Sequence, residues 1–170
     1  MTIFTIGHST RPIETFLRLL AAHRIQHLVD VRTIPKSRHN PQFGGQQLSE
    51  SLRTADVNYT HMPGLGGLRR PRPDSVNSGW RNTGFRGFAD YMQTPAFDAS
   101  LGECIELAVV ERVVLMCAES VPWRCHRSLI ADALLVRGIE ACEISSGVSA
   151  RPHVLTAWAR IEGTHIIYAA

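Results

Sequence analysis

Lysine is almost absent from this chain. Lys36 is the only lysine among 18 lysines and arginines, and the formal net charge is only +3. No apolar run approaches the roughly 18 residues of a membrane-spanning helix, which excludes a transmembrane protein. The sequence does not open on a basic stretch followed by an apolar segment, and its four cysteines do not suggest a disulfide framework. We therefore expect reduced thiols, no membrane association and a cytoplasmic location.

The length and composition are typical of a globular domain. A chain of 170 residues with an apolar fraction of 44% suits one domain with a sizeable core. We predict a single α/β domain over residues 1–170. Positive charge concentrates in a basic loop at about 62–87, where five arginines oppose the single acid Asp74. Such a loop is typical of a segment that folds over an anion or lies along a nucleic-acid backbone, although a merely solvated loop stays possible.

Hydrophobic patterning alternates between strand and helix along the chain. It predicts strands at 3–6, 28–31, 57–60, 113–116, 140–145 and 165–168. It predicts helices at 13–21, about 46–54, 85–92 and 95–110, one around 129–134 that ends before Gly138, and a last helix at about 152–161. Strands separated by amphipathic helices favour an α/β fold with a mostly parallel central sheet and helices on both faces, a Rossmann-like three-layer sandwich.

The segment 117–128 carries the densest group of reactive side chains. Two thiols, Cys117 and Cys125, lie between a buried strand and the start of a helix, together with Glu119, His126, Arg124, Arg127 and Ser128. In an α/β sheet, ligands bind beyond the carboxyl ends of the strands, where helix N–H groups favour anions. A thiol in that setting can react as a thiolate because its pKa is lowered.

Other polar residues follow the first two strands. His8 and Ser9 come after the first strand, and Asp30 and Arg32 close the second. Because the carboxyl ends of parallel strands share one edge of the sheet, we expect these residues to meet segment 117–128 in one crevice.

These segments resemble domain of unknown function family 488, a bacterial and archaeal family without an established activity. The resemblance rests on TIGHS at 5–9, VDVR at 29–32 with Pro35, LGG at 65–67, and MCAE at 116–119 continuing to Pro122 and to CHR at 125–127. The resemblance implies an α/β fold and supplies no substrate. It directs attention to His8, Asp30, Arg32, Glu119, Cys125, His126 and Arg127.

The leading hypothesis is an enzyme that uses a thiolate on a phosphate-bearing or other anionic ligand. Cys117 or Cys125 is the nucleophile, and His126 or His8 carries the proton. The strand, loop and Arg-Ser helix start resemble the anion cradles of cysteine phosphatases and rhodanese-like sulfurtransferases, but those cradles place arginine closer to the cysteine. The other candidate catalytic residues are Asp30 and Glu119, and the candidate ligand-binding residues are Ser9, Arg32, Gly66, Gly67, Arg69, Arg70, Trp80, Arg127 and Ser128.

Three alternatives stay open. In the first alternative, the chain is a nucleic-acid or nucleotide binding module without catalysis, with Trp80 stacking on a base. In the second, Cys117, Cys125 and His126 form a metal site or a redox dithiol. In a purely structural alternative, Cys117 packs as a small apolar side chain and Arg127 pairs with an acid such as Asp30. Asp132 is assigned to the surface.

Overall fold

The computed structural model describes residues 1–170 and contains a six-stranded, mostly parallel sheet. The strands are β1 (Thr2–Gly7), β2 (His27–Asp30), β3 (Asn58–His61), β4 (Val113–Cys117), β5 (Glu140–Ile144) and β6 (Ala150–Pro152). Their order is β3-β2-β4-β1-β5-β6, and all neighbours are parallel except β6, which runs antiparallel to β5. Two further strands, β7 (Arg160–Glu162) and β8 (His165–Ile167), form a separate antiparallel hairpin.

Five α-helices cover both faces of the sheet, as the alternating pattern predicted. They are α1 (Ile13–Ala22), α2 (Gly45–Thr54), α3 (Thr83–Tyr91), α4 (Pro95–Val110) and α5 (Arg127–Leu135). One core joins Phe16 of α1 and Leu48 of α2 to one face of the sheet, and the other joins Phe88 of α3 and Leu129 of α5 to the opposite face. The three-layer α/β fold is therefore confirmed. None of the helices combines the length and apolar character needed to cross a bilayer.

Strand β4 lies at the centre of this arrangement because it is apolar on both faces. All five of its residues are buried, as expected for a parallel strand with helices above and below. Successive side chains alternate between faces, so Val114 and Met116 join the α1–α2 core, whereas Leu115 and Cys117 join the α3–α5 core. The alternation thus directs the Cys117 thiol toward the face that carries α5.

The chain topology places the polar strand ends at one edge of the sheet. From β1 the chain crosses to β2 through α1 on one face, and from β4 it crosses to β5 through α5 on the other. The two connections therefore leave toward opposite faces of the sheet, at the carboxyl edge where open α/β sheets bind ligands.

The C-terminal region departs from the sequence prediction. The predicted helix at about 152–161 is wrong, because Ala150–Pro152 adds as strand β6 to the free edge of β5, and no helix follows. Pro152 is tolerated there because an edge strand does not need every N–H. Beyond it, side chains of His153 and Thr156 reach Asp132 of α5. Hydrogen bonds to Asp132 thus take the place of the backbone hydrogen bonds that a helix at about 152–161 would form.

The basic loop is held by buried polar contacts. Asp90 of α3 accepts hydrogen bonds from the Asn77 side chain (2.7 Å), the Ser75 hydroxyl (2.6 Å) and the Arg72 backbone N–H (2.8 Å). Asn77 in turn accepts from the backbone N–H of Tyr168 at 2.9 Å. These contacts join the loop to α3 and to the C-terminal segment.

Candidate functional site

The loops after β1 and β4 lie side by side. Gly7 is opposite Cys117 in the β1–β4 register, and the backbone N–H of His8 donates to the Cys117 carbonyl oxygen at 2.9 Å. The next N–H, of Ser9, donates to the carbonyl of Ala118 at 3.0 Å. A Cβ atom at Gly7 would overlap the carbonyl oxygen of Glu119. Glycine is therefore required for this close approach.

Two thiols meet at the carboxyl end of β4. The Sγ atoms of Cys117 and Cys125 lie 2.7 Å apart, both residues are buried, and neither is in a disulfide. The guanidinium Nη1 of Arg127 lies 2.6 Å from the Cys117 Sγ, and the backbone N–H of Arg127 lies 3.5 Å from the Cys125 Sγ. The start of α5 thus supplies donors to both sulfur atoms.

These contacts separate the acidities of the two thiols. The hydrogen bond from Cys117, assisted by His126 and by the Arg127 charge, lowers the pKa of Cys125. Burial and the neighbouring Cys125 raise the pKa of Cys117. The two thiols therefore titrate as a coupled pair, in which the first proton is lost more readily than from an ordinary thiol.

Arg127 is anchored by a carboxylate that the sequence motifs did not single out. Its Nη2 and Nε donate to Glu143 of β5 at 2.7 and 3.2 Å, and Nη2 also donates to the Ser120 carbonyl at 3.0 Å. Thr5, opposite Glu143 in the β1–β5 register, donates its hydroxyl to the same carboxylate. Arg127 therefore pairs with Glu143, not with Asp30. An acid between the apolar residues Cys142 and Ile144 of strand β5 is the signal that would have found Glu143.

His126 has a defined orientation. Its Nε2 lies 3.1 Å from the carbonyl oxygen of Val31 and 3.0 Å from that of Leu65, so Nε2 carries a hydrogen and donates it. The other ring nitrogen, Nδ1, lies 3.6 Å from the Cys125 Sγ. A Cβ atom at Gly67 would come within 2.6 Å of His126 Nδ1. Gly67 therefore lets the basic loop cross directly over the imidazole.

The remaining strand-end residues form a second group. Asp30 is fully buried and accepts from Nε and Nη2 of Arg32 at 2.9 and 2.7 Å and from the Tyr59 hydroxyl at 2.7 Å. Arg32 Nη1 lies 3.4 Å from His8 Nε2, while His8 Nδ1 donates to the Ser9 carbonyl at 2.7 Å. Burial, opposed by that hydrogen bond and assisted by Arg32, lowers the pKa of His8. The neutral form of the His8 imidazole is therefore favoured.

A cavity of about 370 Å³ opens beside the thiols, and we call it the thiol crevice. Cys117, His126 and Gly67 form part of its wall, together with Arg32, Lys36, Arg124 and Phe85. Lys36 and Arg124 are exposed and have no carboxylate partner. The crevice therefore brings the Cys117 thiol close to exposed positive charge.

Comparison with protein families identifies the group. A segment of residues 12–134, more than half of the chain, matches the family described as Domain of unknown function DUF488. This chain belongs to the DUF488 family. The matched segment contains Cys117, Cys125 and Arg127, whereas His8 and Glu143 lie outside it. No curated protein and no solved structure matches the chain.

Some predicted site residues of this DUF488 chain lie near the thiols but have local roles. The Ser128 hydroxyl donates to the Cys125 carbonyl at 2.9 Å, which fixes the first turn of α5. Glu119 is exposed, and its carboxylate accepts from the Val121 backbone N–H at 3.1 Å. Ser9 has a positive φ of 52° and is half-buried. Gly66 packs tightly against Thr33.

Others do not join the thiol pair. Arg69 lies 3.6 Å above the ring centre of Tyr91 and donates to the Pro63 carbonyl at 3.1 Å, so it stabilises the turn at 63–65. Arg70 is exposed. Trp80 packs its ring against Trp158 at 4.7 Å between centroids and against Phe85 at 5.0 Å. The expected stacking surface of Trp80 is therefore occupied by protein side chains.

The metal alternative finds no support in the geometry. No three histidine, cysteine, aspartate or glutamate side chains come together in an arrangement that could hold a metal ion. His126 turns Nε2 toward two carbonyl oxygens instead.

Proposed function

We propose that this protein is a thiol-dependent enzyme that acts on an anionic ligand, phosphate-bearing or otherwise, in the thiol crevice. The observation that carries the proposal is the Cys117–Cys125 pair, whose sulfur atoms lie 2.7 Å apart, with the guanidinium Nη1 of Arg127 2.6 Å from the Cys117 Sγ. A buried thiolate next to free cations is the arrangement by which cysteine enzymes activate a nucleophile.

In this mechanism the reacting sulfur is Cys117, since it lines the crevice. In the resting state Cys125 holds the charge; transfer of the shared proton from Cys117 to Cys125 places the charge on Cys117, where Arg127 Nη1 stabilises it. The Cys117 thiolate then forms a bond to an electrophilic centre of the ligand, and the leaving group departs with its electron pair. Transfer of the group to water returns the free thiol and releases one proton to solvent.

We assign the binding of the anionic part of the ligand to exposed cationic side chains. Lys36 and Arg124 line the thiol crevice without a carboxylate partner, and an anion would be drawn toward both charges. Arg127, by contrast, is committed to Glu143 and to backbone carbonyls, so its role is to stabilise the thiolate. A reduced thiol pair is consistent with a cytoplasmic location, which we include in the proposal.

The test is alkylation of the reduced protein with iodoacetamide across pH 5 to 9, with each cysteine quantified by mass spectrometry. We expect one cysteine of the pair to react well below the ordinary thiol pKa of about 8.5, and Cys104 to stay unmodified because it is fully buried. Inorganic phosphate is expected to slow this labelling. If both cysteines of the pair stay inert until the protein unfolds, the proposal is wrong.

A second candidate function is nucleic-acid binding without catalysis. The half-buried Phe85 lines the thiol crevice beside Arg124 and Lys36, and the exposed Arg70 and Arg81 extend the positive surface along the basic loop. Binding of a short oligonucleotide with a steep loss of affinity as salt rises, unchanged in Cys117→Ser, would favour this function.

A further inference from the structure

A second cavity lies on the other side of the 117–127 loop. It measures about 380 Å³ and shares no wall residue with the thiol crevice. Its wall includes Arg11, Trp123, Ser128, Glu143, Arg151 and Val154. We call it the β5 cavity, because Glu143 and Ile144 of that strand line it.

Charge in the β5 cavity is predominantly positive. Neither Arg11 nor Arg151 forms an ion pair, and the only hydrogen bond from the Arg11 guanidinium goes to the Gly7 carbonyl. Arg151 is exposed and lies opposite Glu143 in the β5–β6 register, yet the Glu143 carboxylate is taken by Arg127 and Thr5. Two guanidiniums are thus free for an anion, and guanidinium is well suited to phosphate.

An apolar wall stands beside these arginines. The side chain of Trp123 is 67% exposed and that of Val154 is 81% exposed, although both border a concave surface. A tryptophan that keeps most of its ring in water offers a free face for a planar aromatic group, and stacking on a base is independent of base identity. The cavity volume lies within the usual range for small-molecule sites.

We propose that the β5 cavity binds a nucleotide, with the base against Trp123 and the phosphate between Arg11 and Arg151. A planar ring joined to a phosphate is the ligand class that uses both walls at once. This inference goes beyond the proposed thiol chemistry and does not depend on it.

The experiment is calorimetric titration of the whole protein with adenosine 5′-monophosphate at low ionic strength. We expect saturable binding with one site per chain. Arg151→Ala and Trp123→Ala are each expected to weaken it about tenfold or more, since stacking and a charged hydrogen bond each contribute that much. Arg160→Ala removes an exposed arginine outside the cavity and is the matched control, expected to bind as the parent does.

Several results would overturn the inference. One is the absence of saturable binding at millimolar nucleotide. Another is an equal loss of nucleotide affinity in Arg160→Ala and Arg151→Ala. A third is equal affinity for ribose 5-phosphate, which has no base. Loss of binding in Lys36→Ala would place the nucleotide in the thiol crevice instead. Because iodoacetamide labelling of the thiols needs no nucleotide, the two proposals fail or succeed separately.

Discussion

At the scale of single residues, Arg127 connects the thiol pair to the sheet. Its side chain is almost fully buried, and its guanidinium contacts both the Cys117 sulfur and the Glu143 carboxylate. A buried ion pair adds little net stability compared with an apolar pair of similar size, but removing one partner leaves the other uncompensated. The energetic role of Arg127 is therefore best seen by removing it.

Arg127→Met should destabilise the fold by about 3–5 kcal/mol, because Glu143 and the thiolate would both lose their positive partner. Urea denaturation measures the loss. The double variant Arg127→Met/Glu143→Gln is the control, and it should be more stable than the single variant because no unpaired carboxylate remains. A loss below about 1 kcal/mol in Arg127→Met would mean that the pair behaves as a surface ion pair.

Cys117→Ala should raise the pKa of Cys125. The hydrogen bond from Cys117 is the largest cause of the lowered Cys125 pKa, and alanine cannot donate it. The pH midpoint of Cys125 alkylation is expected to move toward the ordinary thiol value of about 8.5. Cys142→Ala, which leaves the pair intact, is the control and should not move the midpoint. An unchanged midpoint in Cys117→Ala would show that Arg127 and His126 are sufficient to lower the pKa of Cys125.

The same pair predicts a pH dependence of stability. The pKa of Cys125 is lower in the folded protein, so the unfolded chain binds more protons between that lowered pKa and about 8.5, and stability rises with pH in this window. Above about pH 8.5 the stability falls as pH rises, because the unfolded chain loses the Cys117 proton while the raised pKa of Cys117 keeps that proton on the folded protein. The difference in unfolding free energy between the parent and Cys125→Ala, measured from pH 5 to 9, should show the rise. A difference that is flat with pH would contradict the shared proton.

At the scale of elements, the site depends on how closely the basic loop crosses α5. Gly67→Ala would place a Cβ within 2.6 Å of His126 Nδ1, so either the loop or the imidazole must move. We expect a loss of about 1–3 kcal/mol and altered alkylation rates of Cys125, because His126 assists in lowering its pKa.

Gly102 provides the matched control for Gly67. It lies in α4, and no heavy atom lies within 4 Å of the position that a Cβ would take there. Gly102→Ala should therefore stabilise the protein by about 0.5–1 kcal/mol through helix propensity. If Gly67→Ala destabilised the protein no more than Gly102→Ala does, the close approach of the loop to His126 would not constrain the position of the loop or of the imidazole.

At the scale of the whole molecule, Asp132 joins the C-terminal segment to helix α5. Although its sequence context predicted a surface position, Asp132 is fully buried. It accepts hydrogen bonds of 2.7 Å from His153 Nε2, the Thr156 hydroxyl and the Tyr168 hydroxyl. We propose that residues 1–170 unfold as one cooperative domain because this network ties the last strands to α5.

Asp132→Ala should therefore cost about 3 kcal/mol or more, since the buried Tyr168 hydroxyl and the half-buried donors of His153 and Thr156 lose their acceptor. It should also increase cleavage by trypsin after Arg160, which lies in strand β7. Asp98→Ala is the control: Asp98 forms an exposed ion pair with Arg137, and its loss should change stability by less than about 1 kcal/mol. Two separate unfolding transitions in the parent protein would contradict the single cooperative domain.

The sequence by itself determined most of the fold. Apolar runs such as 113–116 and the helical spacing at 13–21 are local patterns, and they placed five parallel strands and five helices within a few residues of their observed bounds. The same patterns put Cys117, Cys125, His126 and Arg127 at the carboxyl edge of the sheet. Reactive residues that are close along the chain were predictable because a strand end and a helix start hold them together.

Only the tertiary structure decided which groups touch. The strand-end residues fall into two groups because alternation along each strand directs neighbouring side chains to opposite faces, which separates Asp30 from Arg127. Glu143, Thr5 and Asp132 gained their partners from positions more than 15 residues away in the chain. The C-terminal helix at about 152–161 failed for the same reason: a free sheet edge and a buried carboxylate outweighed local helix propensity.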